Sequence, residues 1–152
     1  MDPNLRAEWL GDGMIATISN DLIFKIWHIE RENNQYSIVI PASVEDKPVA
    51  LSYSTSRQLM AVCTRERKVF MWSFLPLEGA TAWQPQPQPL ELSAGSSEIS
   101  WARSDHTILA VNTVENVNMW SENVLGNKFY NLLGAFQINS EKLSLEKFKS
   151  GV

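Results

Sequence analysis

Cysteine is almost absent from this 152-residue chain, with Cys63 standing alone. A single thiol cannot close an intrachain disulfide or build a zinc site without other ligands, which fits a reducing compartment. Histidine is scarce as well, with only His28 and His106. No apolar run approaches the roughly 18 residues that a membrane helix needs, which argues against direct membrane insertion. The N-terminal MDPNLRAEWLGDG has no apolar signal core, and the C-terminal FKSGV is neither a prenylation nor a retention signal. There is no excess of basic charge. The formal net charge of -4 offers no electrostatic footprint for nucleic acid or anionic lipid. A Gly-rich phosphate loop, an HExxH pair and paired-cysteine spacing are also missing. With 44% hydrophobic and 20% charged residues, the chain has the composition of a folded domain and is long enough to bury a core. The expectation is a soluble, cytosolic chain.

What is present is a repeated phrase. Leu59-Met60-Ala61-Val62-Cys63 is apolar, Thr64-Arg65-Glu66-Arg67-Lys68 is a hydrophilic break, and Val69-Phe70-Met71-Trp72 is apolar again. Two such runs around a short polar turn predict a β-hairpin. Ile108–Asn112 with Val117–Trp120 repeats it, and Ile15-Ala16-Thr17 with Phe24–Trp27 is an earlier copy. Ala16 precedes Trp27 by 11 positions, Ala61 precedes Trp72 by 11 and Ala110 precedes Trp120 by 10. The three tryptophans are 45 and 48 residues apart.

Other strands fill in around these hairpins. Leu5–Leu10 predicts a strand before the Gly11-Asp12-Gly13 turn, and Met14–Ile18 with Leu22–Trp27 predicts the first hairpin around Asn20-Asp21. Tyr36–Ile40 reads as a strand stopped by Pro41. Val49–Tyr53 alternates with period two into the second hairpin, and Ile99-Ser100-Trp101 enters the third in the same way. Leu75–Leu90 contains an alternating Gln-Pro run that cannot supply consecutive ladder donors, so a long solvated surface loop is expected. A groove for a Pro-binding domain is the sharper alternative there. Leu132–Ile138 predicts one more strand, and Ser140–Lys149 a short helix or a frayed end.

A period of 40–50 residues built from about four short strands is that of a β-propeller blade. Each blade is a sheet that cannot cover both its own faces, so blades stack around an axis with bulky residues between them. Trp27, Trp72 and Trp120 at one repeated spacing predict that inter-blade role; an aromatic ligand box is the alternative. The expected fold is all-β, an incomplete WD40-like propeller of about three four-stranded antiparallel blades over residues 1–138. A charged C-terminal segment follows at 139–152. Three blades leave open edges, so a segment of a longer propeller, or closure by association with copies or a partner, is expected.

The pattern is loosely that of the WD-repeat class. No Gly-His pair opens a repeat, and His28, Ser73 and Ser121 follow the tryptophans where Asp would be usual, so loss of the usual polar network of the blade turn is expected. Three phrases in order go further: Ile26–Asn33; Leu59–Val62 through Val69–Trp72; and Leu109-Ala110-Val111-Asn112-Thr113-Val114. With collinear spacing over about residues 5 to 138, they resemble the family of the 140-kilodalton subunit of intraflagellar transport complex A, near the later blades of its first N-terminal propeller. The Gln-Pro loop and the charged Leu143–Val152 depart from that family's pattern. The resemblance implies a non-enzymatic scaffold supporting retrograde ciliary transport and cilium assembly. Its implied partners are other subunits of the complex and ciliary membrane-protein cargo adaptors, with no nucleic acid, at the cilium, ciliary base and cytoplasm. A WD-like adaptor of another trafficking or coat complex is the alternative.

No catalytic, cofactor-binding or metal residues are expected, and no cofactor. His28 and His106 lack a neighbouring nucleophile in sequence and read as solvated loop residues. Cys63, inside an apolar strand, reads as a small buried hydrophobe. Arg65-Glu66-Arg67-Lys68 could meet an acidic partner, but Glu66 interrupts the basic run and a solvated turn is the plainer expectation. An enzyme built on a propeller would need a constellation that none of these residues supplies.

Overall fold

The three sequence hairpins form, and each carries its alanine opposite an apolar residue of the next strand. The computed structural model of the chain describes residues 5–30, 35–75, 82–103, 107–121, 127–130, 133–137 and 141–147. The first sheet is an antiparallel meander of β1 (Arg6–Gly11), β2 (Met14–Ile18), β3 (Ile23–His28) and β4 (Gln35–Val39). The β1–β2 reversal places Gly11, Asp12 and Gly13 all at positive φ (91°, 48° and 69°), a left-handed path that two glycines make accessible. The second sheet is β5 (Pro48–Ser54), β6 (Leu59–Thr64) and β7 (Lys68–Phe74), with β8 (Trp83–Pro85) and β9 (Leu90–Glu91) both pairing with β7. The third is β10 (Ser96–Trp101), β11 (Ile108–Thr113) and β12 (Val117–Ser121). These sheets belong to one compact unit, Met1–Ser121. A second unit, Glu122–Val152, holds a sheet of β13 (Asn127–Tyr130), β14 (Leu133–Gln137) and β15 (Leu143–Lys147).

Two expectations about elements change. Part of the Gln-Pro stretch is strand, not loop: Trp83–Pro85 runs antiparallel to Phe74–Trp72, and Leu90–Glu91 pairs with Val69–Lys68. Proline is tolerated because β8 and β9 lie on the outer side of β7, where a missing N–H breaks no further ladder. Residues 76–81 lie outside the described residues. Within 140–149, Leu143–Lys147 is a strand paired with β14, where a short helix or a frayed end was expected. Its Leu-Ser-Leu-Glu-Lys order alternates with the period of a strand.

The core of the first unit lies between sheets, in two layers. Leu10, Ala16, Ile18, Phe24, Ile26 and Ile38 on one face of the first sheet meet Leu51, Met60, Val62, Phe70 and Trp72 of the second. The opposite face of the second sheet, through Ala50, Ala61, Cys63 and Val69, meets Ile99, Trp101, Leu109 and Val111 of the third. Hence the β5–β7 segments are apolar on both sides and read as continuous runs.

Trp27, Trp72 and Trp120 hold one register position, opposite Ile15, Met60 and Leu109 respectively. Their burial is not uniform, as inter-blade packing at all three had implied. Trp72 is 2% exposed and meets the edge of Phe24 at 4.8 Å and 68°. Trp120 is half-buried against the layer between the second and third sheets. Trp27 is 40% exposed. The reason is directional: each indole points toward the preceding sheet, and within the first unit no sheet precedes the one that carries Trp27.

Candidate functional site

The innermost strands β1, β5 and β10 run side by side, and a cleft of ≈ 420 Å³ follows them. Glu8, Ser52 and Ser100 occupy one register position on these strands, opposite Ala16, Ala61 and Ala110. All three line the cleft together with Tyr53 and Trp101. Two of them bond across a sheet boundary. The Tyr53 N–H donates to Glu8 Oε1 at 3.4 Å, and the Trp101 N–H donates to Ser52 Oγ at 3.2 Å. Burial raises the Glu8 carboxyl above its ordinary value, opposed by the Tyr53 N–H that favours the charged form. Tyr53, beside it, is also raised by burial, with a contribution from the negative charge of Asp12. Trp101 keeps its indole N–H without a hydrogen-bond partner among the described residues.

A second polar cluster fixes the turn between β6 and β7. Asp46, buried ahead of β5, accepts from Thr64 Oγ1 at 2.7 Å and from the Glu66 N–H at 2.6 Å. The Ser96 hydroxyl donates to the Thr64 carbonyl at 2.7 Å, tying the third sheet to the same corner. The turn therefore keeps a polar clamp, which the absence of Gly-His and Trp-Asp pairs had argued against. Arg65, Glu66 and Arg67 stay exposed at its tip, the solvated turn expected from sequence, with Arg67 at a φ of 69°.

Of the other residues singled out from sequence, Cys63 borders the second cluster through Ser96. His28 closes β3 opposite Met14 and is half-buried, while His106 lies outside the described residues. Cys63 is fully buried between sheets, and burial pushes its thiol up, opposing formation of the reactive thiolate. Among the described residues no group of His, Cys, Asp and Glu could hold a metal ion. The cleft offers one half-buried carboxylate, with the Ser52 hydroxyl accepting from the Trp101 N–H and the Ser100 hydroxyl donating to the Trp101 carbonyl.

Remaining exposed apolar surface lies on the outer faces of the sheets. On the first sheet, Trp9 is 65% exposed and lies across Ile15 from Trp27, with Val39 on the same face. The Trp27 Nε1–H donates to Thr17 Oγ1 at 2.8 Å, so the polar atom of that indole is satisfied and its ring is left bare. On the third sheet, Val117 and Met119 are 59% and 71% exposed.

Comparison with known proteins sets this geometry in a family. The family model described as the IFT140 first beta-propeller matches residues 1–123, ending beside Ser121, where the first compact unit ends. Residues 124–138, within the sequence resemblance, fall outside that match. Among solved structures, the WD40 beta propeller domain of Doa1 is similar with a TM-score of 0.58 at 10% identity, a likeness of fold alone. The alignment covers 96% of this chain and 52% of that one, so the chain spans about half the length of the solved propeller it matches.

Proposed function

The chain belongs to the IFT140 first beta-propeller family, and from that premise we propose that it is a scaffold segment of an intraflagellar transport complex. It would support retrograde ciliary transport and cilium assembly through protein–protein contacts with other subunits of the complex and with cargo adaptors, at the cilium, its base and the cytoplasm. The family match over residues 1–123 carries this reading. The structure is in keeping with it: a stack of sheets displays loops and faces of fixed geometry, and among the described residues no group of His, Cys, Asp and Glu is placed to hold a metal ion. The same reading makes its role that of a non-enzymatic scaffold. The test is affinity purification of the tagged 152-residue chain from ciliated cells, with imaging of the same cells. Co-purification of other complex subunits and signal at the ciliary base are expected. Recovery with a different coat or trafficking complex, and no ciliary signal, would overturn the assignment in favour of a WD-like adaptor elsewhere.

A further inference from the structure

The cleft along the inner strands holds three polar groups that the described residues leave incomplete. Its walls are Leu51–Thr55 on one side and Ile99–Arg103 on the other, with Glu8 reaching in from β1. Two runs of that length in extended backbone make a groove on the order of 15 Å long. Ile99 and Trp101, alternate residues of β10, face the second sheet, which is the side on which this groove lies. Trp101 is 8% exposed, and its Nε1–H has no hydrogen-bond partner among the described residues. Buried polar groups are nearly always paired, so an enclosed donor without an acceptor points to a partner that comes from elsewhere. Glu8 is half-buried and accepts the Tyr53 N–H through Oε1, while Oε2 has no partner among the described residues. No described cation acts on it: burial raises its carboxyl, and the Tyr53 N–H is what opposes that rise. Arg103 lines the same groove, is exposed, and makes no ion pair with a described residue. Charges of opposite sign thus stand in one cleft without meeting each other.

We propose that this cleft seats an extended peptide segment of another protein, with a basic side chain paired to Glu8, an acidic side chain paired to Arg103, and a backbone carbonyl between them accepting from the Trp101 Nε1–H. Each contact supplies what the described residues do not. The basic group brings charged donors to Glu8 Oε2, and the acidic group meets the guanidinium, the charge-assisted bonds that are strongest in a partly enclosed site. The carbonyl satisfies the indole. The Ser54 and Thr55 hydroxyls on the same wall can bond further backbone groups of the segment. A volume of ≈ 420 Å³ lies within the range of ligand sites. Hydroxyls and charges of both signs match the N–H and C=O groups of a polypeptide better than they match an apolar small molecule. Because the two charges come from different strands, they also fix the direction in which the segment lies. The inference uses only contacts among β1, β5 and β10 and does not rest on the ciliary reading.

Titration of the nitrogen-15-labelled 152-residue chain with short capped peptides tests it, read at the Trp101 indole N–H resonance. The probes carry one lysine and one aspartate separated by one to four alanines, in both orders. Companion peptides replace the lysine by norleucine or the aspartate by asparagine. A saturable downfield shift of the Trp101 signal is expected for at least one spacing and order, with each companion peptide binding at least tenfold more weakly. Glu8→Gln should weaken the charged peptide at least tenfold and leave the norleucine peptide unchanged, and Arg103→Gln should do the same with respect to the asparagine peptide. The other five indole signals check that each variant is folded. Should a variant not fold, the companion peptides carry the same comparison on the wild-type chain. No shift with any peptide overturns the proposal. So does an equal response to the neutral companions, which would mean that the charges take no part. Lysine amide or acetate alone moving the indole signal as far as the peptide overturns it too, in favour of a site for a small ion.

Discussion

Trp72 and Trp27 occupy the same position in two copies of one repeat, so truncating each to alanine compares burial at constant local geometry. Trp72 is almost wholly enclosed, with the edge of Phe24 on one side and Phe70 at 6.4 Å. Full burial of a tryptophan removes about 150–250 Å² from water, worth about 4–6 kcal/mol at 25 cal/mol per Å² as an upper bound. Allowing for partial collapse of the cavity, Trp72→Ala should cost about 3–5 kcal/mol. Trp27 keeps much of its ring in water, and losing its bond to Thr17 leaves a solvated hydroxyl, so Trp27→Ala should cost about 1 kcal/mol or less. The assay is urea unfolding followed by far-ultraviolet circular dichroism, at dilutions where sedimentation shows a monomer. Equal losses for the two variants, or a loss below about 1 kcal/mol for Trp72→Ala, would refute the claim that the repeat tryptophans point toward the preceding sheet.

Four further outcomes follow from the polar contacts. Asp46→Ala leaves the Thr64 hydroxyl and the Glu66 N–H without their acceptor and should cost about 2–4 kcal/mol in the same assay, with Asp46→Asn losing less because it keeps one carbonyl oxygen. Ser52→Ala should cost about 1–3 kcal/mol by stranding the buried Trp101 N–H, and a loss near zero would mean that cleft water replaces the hydroxyl. For Glu8 the folded-state pKa is raised, so the native state binds the proton more tightly than the unfolded chain. Its contribution is greatest at acid pH and declines as pH rises above the ordinary range of a glutamate carboxyl. Glu8→Gln should flatten that part of the stability–pH curve, and an unchanged slope would contradict the burial assigned to this carboxyl. Cys63, buried with a raised thiol pKa, should resist an aromatic disulfide reagent in the folded chain and react promptly in urea.

The hairpins were legible because period-two patterning and repeated tryptophans are local properties of the chain. Ala16, Ala61 and Ala110 are register partners of Ile26, Met71 and Met119, the residues just before those tryptophans, so the repeat visible in sequence is the repeat of the sheets. What stayed hidden depends on contacts between sheets. Glu8, Ser52 and Ser100 precede their alanines by 8, 9 and 10 positions. The drift arises because the turn between the first two strands of each sheet has a different length each time. An acidic residue and two serines at a sliding offset look unrelated until the ladder aligns them. The Asp46 clamp is concealed for a similar reason, since Asp46 and Thr64 are 18 positions apart and only β5–β6 pairing brings them together.

The unequal burial of the tryptophans has the same origin, and it decides how the molecule should be understood. Sequence spacing says that three indoles are equivalent along the chain; it cannot say how many of them have a sheet to face. The described first unit has three sheets and two boundaries, so within that unit only two of the three indoles have a preceding sheet to face. Stacked repeats share apolar faces between neighbours, so each sheet carries on both faces the residues that a neighbouring sheet would cover. Trp9 and Trp27 on the outer face of the first sheet, and Val117 and Met119 on the outer face of the third, hold the register positions that are covered at the two boundaries within the unit. Their side chains follow from the repeat that shapes the interior, and any sheet that covers one face must present the chemistry of the other.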